Sequence, residues 1–167
     1  TLSTLMDWGV IAIINENDSV AVDEIKFGDN DHLAAMIANI VEAHLLVNLT
    51  STEGLYDCNP KTSSEARLIP LVREFSEEIM EAATAETSDV GTGGMRSKIL
   101  AAQKVTAFGI PYIIAPGKHP GILARLFAGE AVGTLFLPMQ KHLTSRKHWI
   151  AFTLRGKGKL VIDDGAK

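Results

Sequence analysis

The sequence contains one cysteine, Cys58, among its 167 residues, and a lone cysteine cannot form an internal disulfide. A disulfide-stapled secreted domain is therefore excluded, and a reducing compartment is expected. Long apolar runs are also missing, since the longest, residues 10–14, is far shorter than the roughly 20 residues that cross a bilayer. No signal-peptide pattern is visible. We therefore expect a soluble, cytoplasmic protein that has no membrane partner.

Positive charge is scarce as well. The chain has 16 Lys and Arg residues against 20 Asp and Glu residues, which gives a net charge of −4. Such a chain lacks the positive field on which non-specific nucleic-acid binding depends. Basic residues gather only near the end, in "SRKHW" (145–149) and "RGKGK" (155–159). An RNA-binding fragment stays open as an alternative, but RNA is not the expected partner.

Several catalytic and metal-binding motifs are absent. The five His residues do not show metal-ligand spacing such as H-E-x-x-H, and no G-x-S-x-G nucleophile elbow occurs. The acidic stretch 14–31 is not an EF-hand, because it lacks the Gly and the bidentate Glu at the required loop positions. No protein-held metal site is predicted from these patterns.

The chain has an ordinary globular composition, with 46% hydrophobic and 22% charged residues, and its length suits one domain. Three apolar runs, "VIAII" (10–14), "LLVNL" (45–49) and "YIIA" (112–115), predict buried strands of a parallel sheet. Helical spacing of apolar residues predicts helices over 31–43, after Met95, and near 123–127, and Ser76 is a predicted N-cap of a fourth. Alternating strands and helices indicate an α/β fold, a three-layer sandwich with a mostly parallel central sheet.

Polar segments follow each predicted strand. They are "NEND" (15–18), "TSTEG" (50–54) and "PGKHPG" (116–121). Ligands of open α/β sheets bind outside the carboxyl ends of the strands, so these segments are expected to converge on one site.

The Gly-rich turn "DVGTGGMRSK" (89–98) is a further candidate for that site. It is neither a Walker A loop nor a G-x-G-x-x-G motif. Gly residues nevertheless let backbone N–H groups approach an anion, a helix N-terminus carries about half a positive charge, and Lys98 falls in the first turn of the helix. A phosphate cradle and a plain helix entry with a solvent-facing lysine are equally compatible with these residues.

The acidic stretch 14–31 surrounds one lysine, Lys26, with carboxylates and amides. A solvated acidic loop is the default interpretation. Its position after a strand and before a helix instead favours a pocket for a polar zwitterion, or carboxylates that orient catalytic lysines or share in holding Mg²⁺ through phosphate oxygens.

Four segments taken in order resemble the amino-acid kinase family. They are "AIINEND" (12–18), "GDNDHLAA" (28–35), "LTSTEGLYDCNP" (49–60) and "GTGGMRSK" (91–98), so the resemblance covers nearly the whole chain. It implies that ATP, with Mg²⁺, phosphorylates the γ-carboxylate of L-glutamate, the first step of proline biosynthesis. Another member of the family, such as acetylglutamate kinase, is the alternative.

The resemblance also implies roles for individual residues. Lys98 would neutralise the transferring phosphoryl group, Asp29 would orient catalytic lysines, and Lys26 would flank the site. The implied glutamate-binding residues are Asn15, Asp18, Asn30 and Asp31. The implied nucleotide-binding residues are Thr50, Ser51, Thr92, Gly93, Gly94, Met95, Arg96, Ser97 and Lys98. Ser51 stands where the family usually has Asp.

The same resemblance implies an incomplete enzyme. Residues 1–145 match the C-terminal portion of the kinase domain, and residues 146–167 match a linker and the beginning of a PUA-like domain. The N-terminal half of the kinase, with a second catalytic lysine, would precede Thr1. We therefore expect a chain that does not turn over alone. Feedback inhibition by proline and homo-oligomer assembly are expected of the family.

Overall fold

A computed structural model describes residues 1–15, 30–85 and 94–139. The helices in these ranges are α1 (Leu2–Asp7), α2 (Asn30–Ile40), α3 (Glu77–Ala85), α4 (Met95–Ala107) and α5 (Ile122–Phe127). The strands are β1 (Leu46–Thr50), β2 (Leu71–Val72), β3 (Tyr112–Pro116) and β4 (Thr134–Phe136). None of these helices is long and apolar enough to cross a membrane.

The four strands form one mixed sheet in the order β1-β3-β4-β2. β1 pairs with β3 in parallel, from Leu46 opposite Tyr112 to Thr50 opposite Pro116. β2 and β4 are also parallel, whereas β3 and β4 are antiparallel. The mostly parallel α/β sheet predicted from the sequence is thus confirmed. Because β1 and β3 run in the same direction, the loops that follow them lie at the same edge of the sheet.

Two of the three predicted strands are confirmed, as β1 and β3, and the strand predicted at 10–14 is wrong. Residues 10–15 belong to no helix or strand, and Ile11 and Ile13 are 90% and 97% exposed. A strand requires a neighbour for its backbone hydrogen bonds. Apolar composition identified a segment suited to a buried strand, but no strand in the described ranges pairs with it.

Helices α2 and α4 pack against each other over one face of the sheet. Small residues allow the approach, since Ala35 and Ala38 of α2 are buried, as are Ala101 and Ala102 of α4. α2 ends at Ile40, three residues earlier than predicted. Beyond it Glu42 has a left-handed φ of 51°, and the Ala43 N–H donates to the Ala38 carbonyl at 2.9 Å. This turn closes the helix in the manner of a left-handed C-cap.

The core lies between these helices and the sheet. The ring of Phe136 stacks on Phe75 and meets the edge of Tyr112, with ring centroids 5.8 Å apart in each pair. Ile99 and Val105 of α4 are fully buried beside them. The core therefore fixes α4 and the start of β3, the two elements that flank the site described next.

Candidate functional site

An ion pair joins the first turns of α2 and α4. The Lys98 Nζ lies 2.9 Å from Asp31 Oδ2 and 3.2 Å from Asp31 Oδ1. The two side chains are only 13% and 10% exposed, respectively, so water screens their charges less than it screens a surface pair. The packing of α2 on α4 places the two side chains together although 67 residues separate them in sequence.

Asp31 accepts two further hydrogen bonds, one on each oxygen. Asn48 Nδ2 of β1 donates to Oδ1 at 2.5 Å, and Ser97 Oγ of α4 donates to Oδ2 at 2.5 Å. Asn48 Nδ2 also lies 2.7 Å from the hydroxyl of Tyr112, the first residue of β3. Residues of α2, β1 and α4 thus meet at one carboxylate, and β3 is connected to it through Asn48. We call Asp31, Asn48, Ser97, Lys98 and Tyr112 the Asp31 cluster.

The N-terminus of α4 lies at the cluster. Gly94 is its N-cap, in extended backbone, and no side chain of residues 1–15, 30–85 or 94–139 caps the helix. Ser97 closes the turn instead. Its backbone N–H donates to the Gly94 carbonyl at 3.1 Å, and the single hydrogen of its hydroxyl is shared between that carbonyl oxygen, at 2.8 Å, and Asp31 Oδ2. A helix end without a side-chain cap leaves backbone N–H groups for another acceptor, and its partial positive charge adds to that of Lys98. The arrangement suits an anion.

The loops after β1 and β3 meet at the same edge of the sheet. The Gly117 N–H donates to the Thr50 carbonyl at 2.7 Å, and His119 Nε2 lies 3.3 Å from Glu53 Oε1. Thr50 and Asn48 face the same side of β1, about 6.6 Å apart along the strand. Next to Ser51, the buried hydroxyl of Thr52 has no hydrogen-bond partner in the described part of the chain. The segments 50–54 and 116–121, predicted to converge, do so.

The structure brings together some of the predicted site residues. Asp31, Ser97 and Lys98 share the cluster, and Asn30 is exposed directly beside it on α2. Ser51 and Arg96 are exposed, whereas the Met95 side chain is buried in the core, so only its backbone faces the helix end.

Other predicted residues give no test of their roles. Lys26, Asp29 and Asp18 lie outside the described residues, as do Thr92 and Gly93. Asn15 is described and exposed, but the residues that connect it to α2 are not. The roles predicted for all these residues stay predictions.

Sequence reasoning missed Asn48 and Tyr112. Both fall inside apolar runs that predict strands, where they counted only as strand residues. A signal was present, because a single amide inside the run "LLVNL" is costly to bury unless it is hydrogen-bonded. That signal points to a polar partner but does not say which one.

Within ranges 1–15, 30–85 and 94–139, no group of three or more His, Cys, Asp or Glu side chains is placed to hold a metal ion. Asp31 is the carboxylate nearest to Lys98 among the contacts described above, and its two oxygens already accept hydrogen bonds from three side chains. The cluster is therefore better suited to an anion than to a bare cation.

Comparison with known proteins adds a family and a set of relatives. Residues 1–116 match the model of the amino acid kinase family. The whole chain is 71% identical to a glutamate 5-kinase from Syntrophus aciditrophicus and 56% identical to one from Geobacter sulfurreducens. It covers 43% and 45% of those two proteins, so it spans less than half of the length of these curated relatives.

Solved structures show weaker likenesses. An N-acetylglutamate synthase from Neisseria gonorrhoeae matches 65% of the chain, over 23% of its own, at 24% identity and a TM-score of 0.49. A UMP kinase from Bacillus anthracis matches 65% of the chain, over 40% of its own, at 17% identity and a TM-score of 0.46.

Proposed function

We propose a function for this chain from one premise, which is that it belongs to the amino-acid kinase family. The chain provides the phosphate-binding part of an ATP-dependent kinase that phosphorylates the γ-carboxylate of L-glutamate and forms γ-glutamyl phosphate. The observation that carries the proposal is the shielded Lys98–Asp31 pair at the N-terminus of α4, where the N-cap is Gly94. The 71% identity to a glutamate 5-kinase over the whole chain supports this substrate.

The described residues fit the phosphates of a nucleotide. Backbone N–H groups of the first turn of α4 and the ammonium of Lys98 are donors for phosphate oxygens. The hydroxyl of Thr52 has no hydrogen-bond partner in the described ranges, and it is a further donor beside the predicted nucleotide-binding pair Thr50 and Ser51. When bound, ATP supplies the phosphoryl group and Mg²⁺ offsets part of its negative charge.

The residues of the chain have two tasks in this proposal. Lys98 and the N-terminus of α4 provide positive charge. This charge offsets the repulsion between two anions, the nucleotide phosphates and the acceptor carboxylate. Asp31 holds the Lys98 ammonium in place. No general base is required, because the acceptor carboxylate is already ionised at neutral pH. Catalysis by positioning and charge neutralisation is what phosphoryl transfer demands.

Further features belong to the proposal. We assign residues 1–145 to the kinase domain and 146–167 to the start of a PUA-like domain, in a cytoplasmic enzyme. Asn15, Asp18 and Asn30 are proposed to bind glutamate, and Lys26 and Asp29 to complete the catalytic site. Asp31 was predicted to bind glutamate as well, but its contact with Lys98 favours the role of holding that lysine. Inhibition by proline and homo-oligomer assembly are proposed from the family. The 167-residue chain is proposed to be inactive alone, since it covers 43% of the S. aciditrophicus relative.

A hybrid enzyme tests the proposal. In it, this 167-residue chain replaces the matching segment of the S. aciditrophicus glutamate 5-kinase. We expect ATP-dependent formation of γ-glutamyl hydroxamate with L-glutamate and much less product with N-acetylglutamate. In the hybrid, Lys98→Met lowers kcat by about 100-fold or more, the magnitude seen when one charge-stabilising donor is removed. The control Lys61→Met changes an exposed loop lysine and leaves kcat unaltered.

Two results would contradict the proposal. One is a folded hybrid that releases ADP with N-acetylglutamate faster than with glutamate, which favours the acetylglutamate kinase alternative. The other is a Lys98→Met hybrid as active as the Lys61→Met control.

A further inference from the structure

We infer that Asn48 and Tyr112 are positioning residues, which hold Asp31, and through it Lys98, in the orientation that phosphoryl transfer uses. The inference rests on the proposed function and adds two residues to its site. It is argued from the contacts of the Asp31 cluster, and it assigns Asn48 and Tyr112 an effect that acts through Asp31 and not through contact with the nucleotide.

Asn48 connects the cluster to the sheet. Its side-chain amide has two N–H groups, and its Nδ2 lies 2.5 Å from Asp31 Oδ1 and 2.7 Å from the Tyr112 hydroxyl oxygen. One N–H thus serves each oxygen. The Tyr112 ring is fully buried and packs on Phe136, so its hydroxyl is a fixed point. One series of contacts therefore runs from the core through Tyr112 and Asn48 to Asp31 and Lys98.

Asp31 needs such an anchor. The terminal torsion of an Asp side chain has broad, soft minima, so a carboxylate held from one side can rotate. Ser97 and Lys98 both belong to the first turn of α4, so they hold the carboxylate from the same helix. Asn48 holds the other oxygen from β1, and it therefore fixes the carboxylate, and with it the ammonium, relative to the sheet edge where Thr50 lies.

The partial burial of Asn48 favours a specific role for its side chain. Its amide is part-buried between β1 and Asp31, and a buried amide costs free energy unless its hydrogen bonds are made. An apolar residue at this position would fill the space without that cost. A polar network that is fully connected rigidifies its members, which is the property that a positioned lysine requires.

Kinetics of the hybrid enzyme distinguish positioning from structural support. Asn48→Leu removes the donor and keeps the volume, and Tyr112→Phe removes only the hydroxyl. We expect kcat to fall about 10- to 100-fold for Asn48→Leu, as for a lost hydrogen bond to a charged group, and about threefold for Tyr112→Phe. The KM for ATP stays within about twofold, because the loss is confined to the transition state.

The double variant gives a sharper criterion. If Tyr112 acts through Asn48, then Asn48→Leu with Tyr112→Phe is no slower than Asn48→Leu alone. The matched control is Thr106→Val, which removes a buried hydroxyl that donates to the Ala102 carbonyl of α4, away from the cluster. It lowers thermal stability but leaves kcat unchanged. Additive losses, or an equal loss of kcat in the control, would overturn the inference.

Chemical labelling of the 167-residue chain provides a second measurement. We expect Asn48→Leu to raise the acetylation rate of Lys98 by acetic anhydride at least about threefold, toward that of Asp31→Asn, because a loosened ion pair exposes the amine. Exposed Lys61 is the internal reference. An unchanged Lys98 rate in Asn48→Leu would overturn the inference. The acetylation rate does not depend on phosphoryl transfer, so it tests the inference separately from the proposed function. A hybrid enzyme without glutamate kinase activity would contradict only the proposed function.

Discussion

Replacing Lys98 by Met removes the cation of a shielded pair, so the Asp31 carboxylate loses the ammonium that lies 2.9 Å from its Oδ2. Breaking a fully buried pair by removing one partner costs about 3–5 kcal/mol. The side chains here are 13% and 10% exposed, so water recovers part of this cost. We therefore expect Lys98→Met to lower the free energy of unfolding of the chain by about 2–3 kcal/mol.

A double-mutant cycle isolates the pair from other effects of the substitution. Asp31→Asn keeps the shape of the side chain and removes its charge, and the combination with Lys98→Met leaves no unpaired charge. The double variant should be less destabilised than the sum of the singles by about 1.5 kcal/mol or more. Urea unfolding followed by circular dichroism, with unchanged m-values, measures the four free energies.

The control for this cycle is Lys61→Met, an exposed loop lysine whose substitution should change stability by less than about 0.5 kcal/mol. Free energies that add within error would show that the 2.9 Å contact carries no coupling. The electrostatic description of the cluster would then be refuted, since two opposite charges at this distance couple when water screens them only weakly.

Two further predictions concern the fold around the site. Gly133 has a φ of +78°, and a Cβ there would lie 2.1 Å from the Ile114 carbonyl oxygen, so Gly133→Ala should cost about 3 kcal/mol or more in urea unfolding. Gly121→Ala, at a φ of +73° in open space, should cost only about 1–2 kcal/mol, and equal costs would contradict the steric argument. The backbone N–H of Arg67 donates to Asp57 Oδ1 at 2.8 Å and lowers the pKa of Asp57. The contribution of Asp57 to folding stability is therefore present above the unfolded-state pKa of about 3.9, and it is lost as pH falls through the lower folded-state pKa. The melting temperature of Asp57→Asn should accordingly lie below that of the parent at pH 6 and approach it in acid, and a gap that widens in acid would refute the assignment.

The sequence predicted the longer elements well, because their apolar spacing extends over enough residues to show a period. The helices α2 and α4 and the strands β1 and β3 are such elements. β2 and β4 were missed, since two and three residues are too few to show an alternating pattern. The prediction of a strand at 10–14 was wrong for a different reason. The composition of this segment is typical of a strand, but a strand also needs a neighbouring segment to pair with, and its own sequence does not specify one.

The candidate site was predictable only in part. The Gly-rich turn and the acidic stretch each indicated polar chemistry, and the family resemblance joined Lys98 to Asp31 at one site. The direct contact between them depends on how α2 packs on α4, which local sequence does not specify. The links through Asn48 and Tyr112 depend in turn on the parallel register of β1 and β3. Tertiary packing therefore determined the part that the sequence left open.

The most direct test of the proposed function is a crystal structure of the hybrid enzyme with a non-hydrolysable ATP analogue and L-glutamate. We predict that Lys98 Nζ lies within about 4 Å of an oxygen of the terminal phosphate, the limit for an ion pair, with Asp31 still in contact. A nucleotide whose phosphates lie away from the N-terminus of α4, with Lys98 bound only to Asp31, would contradict the proposal.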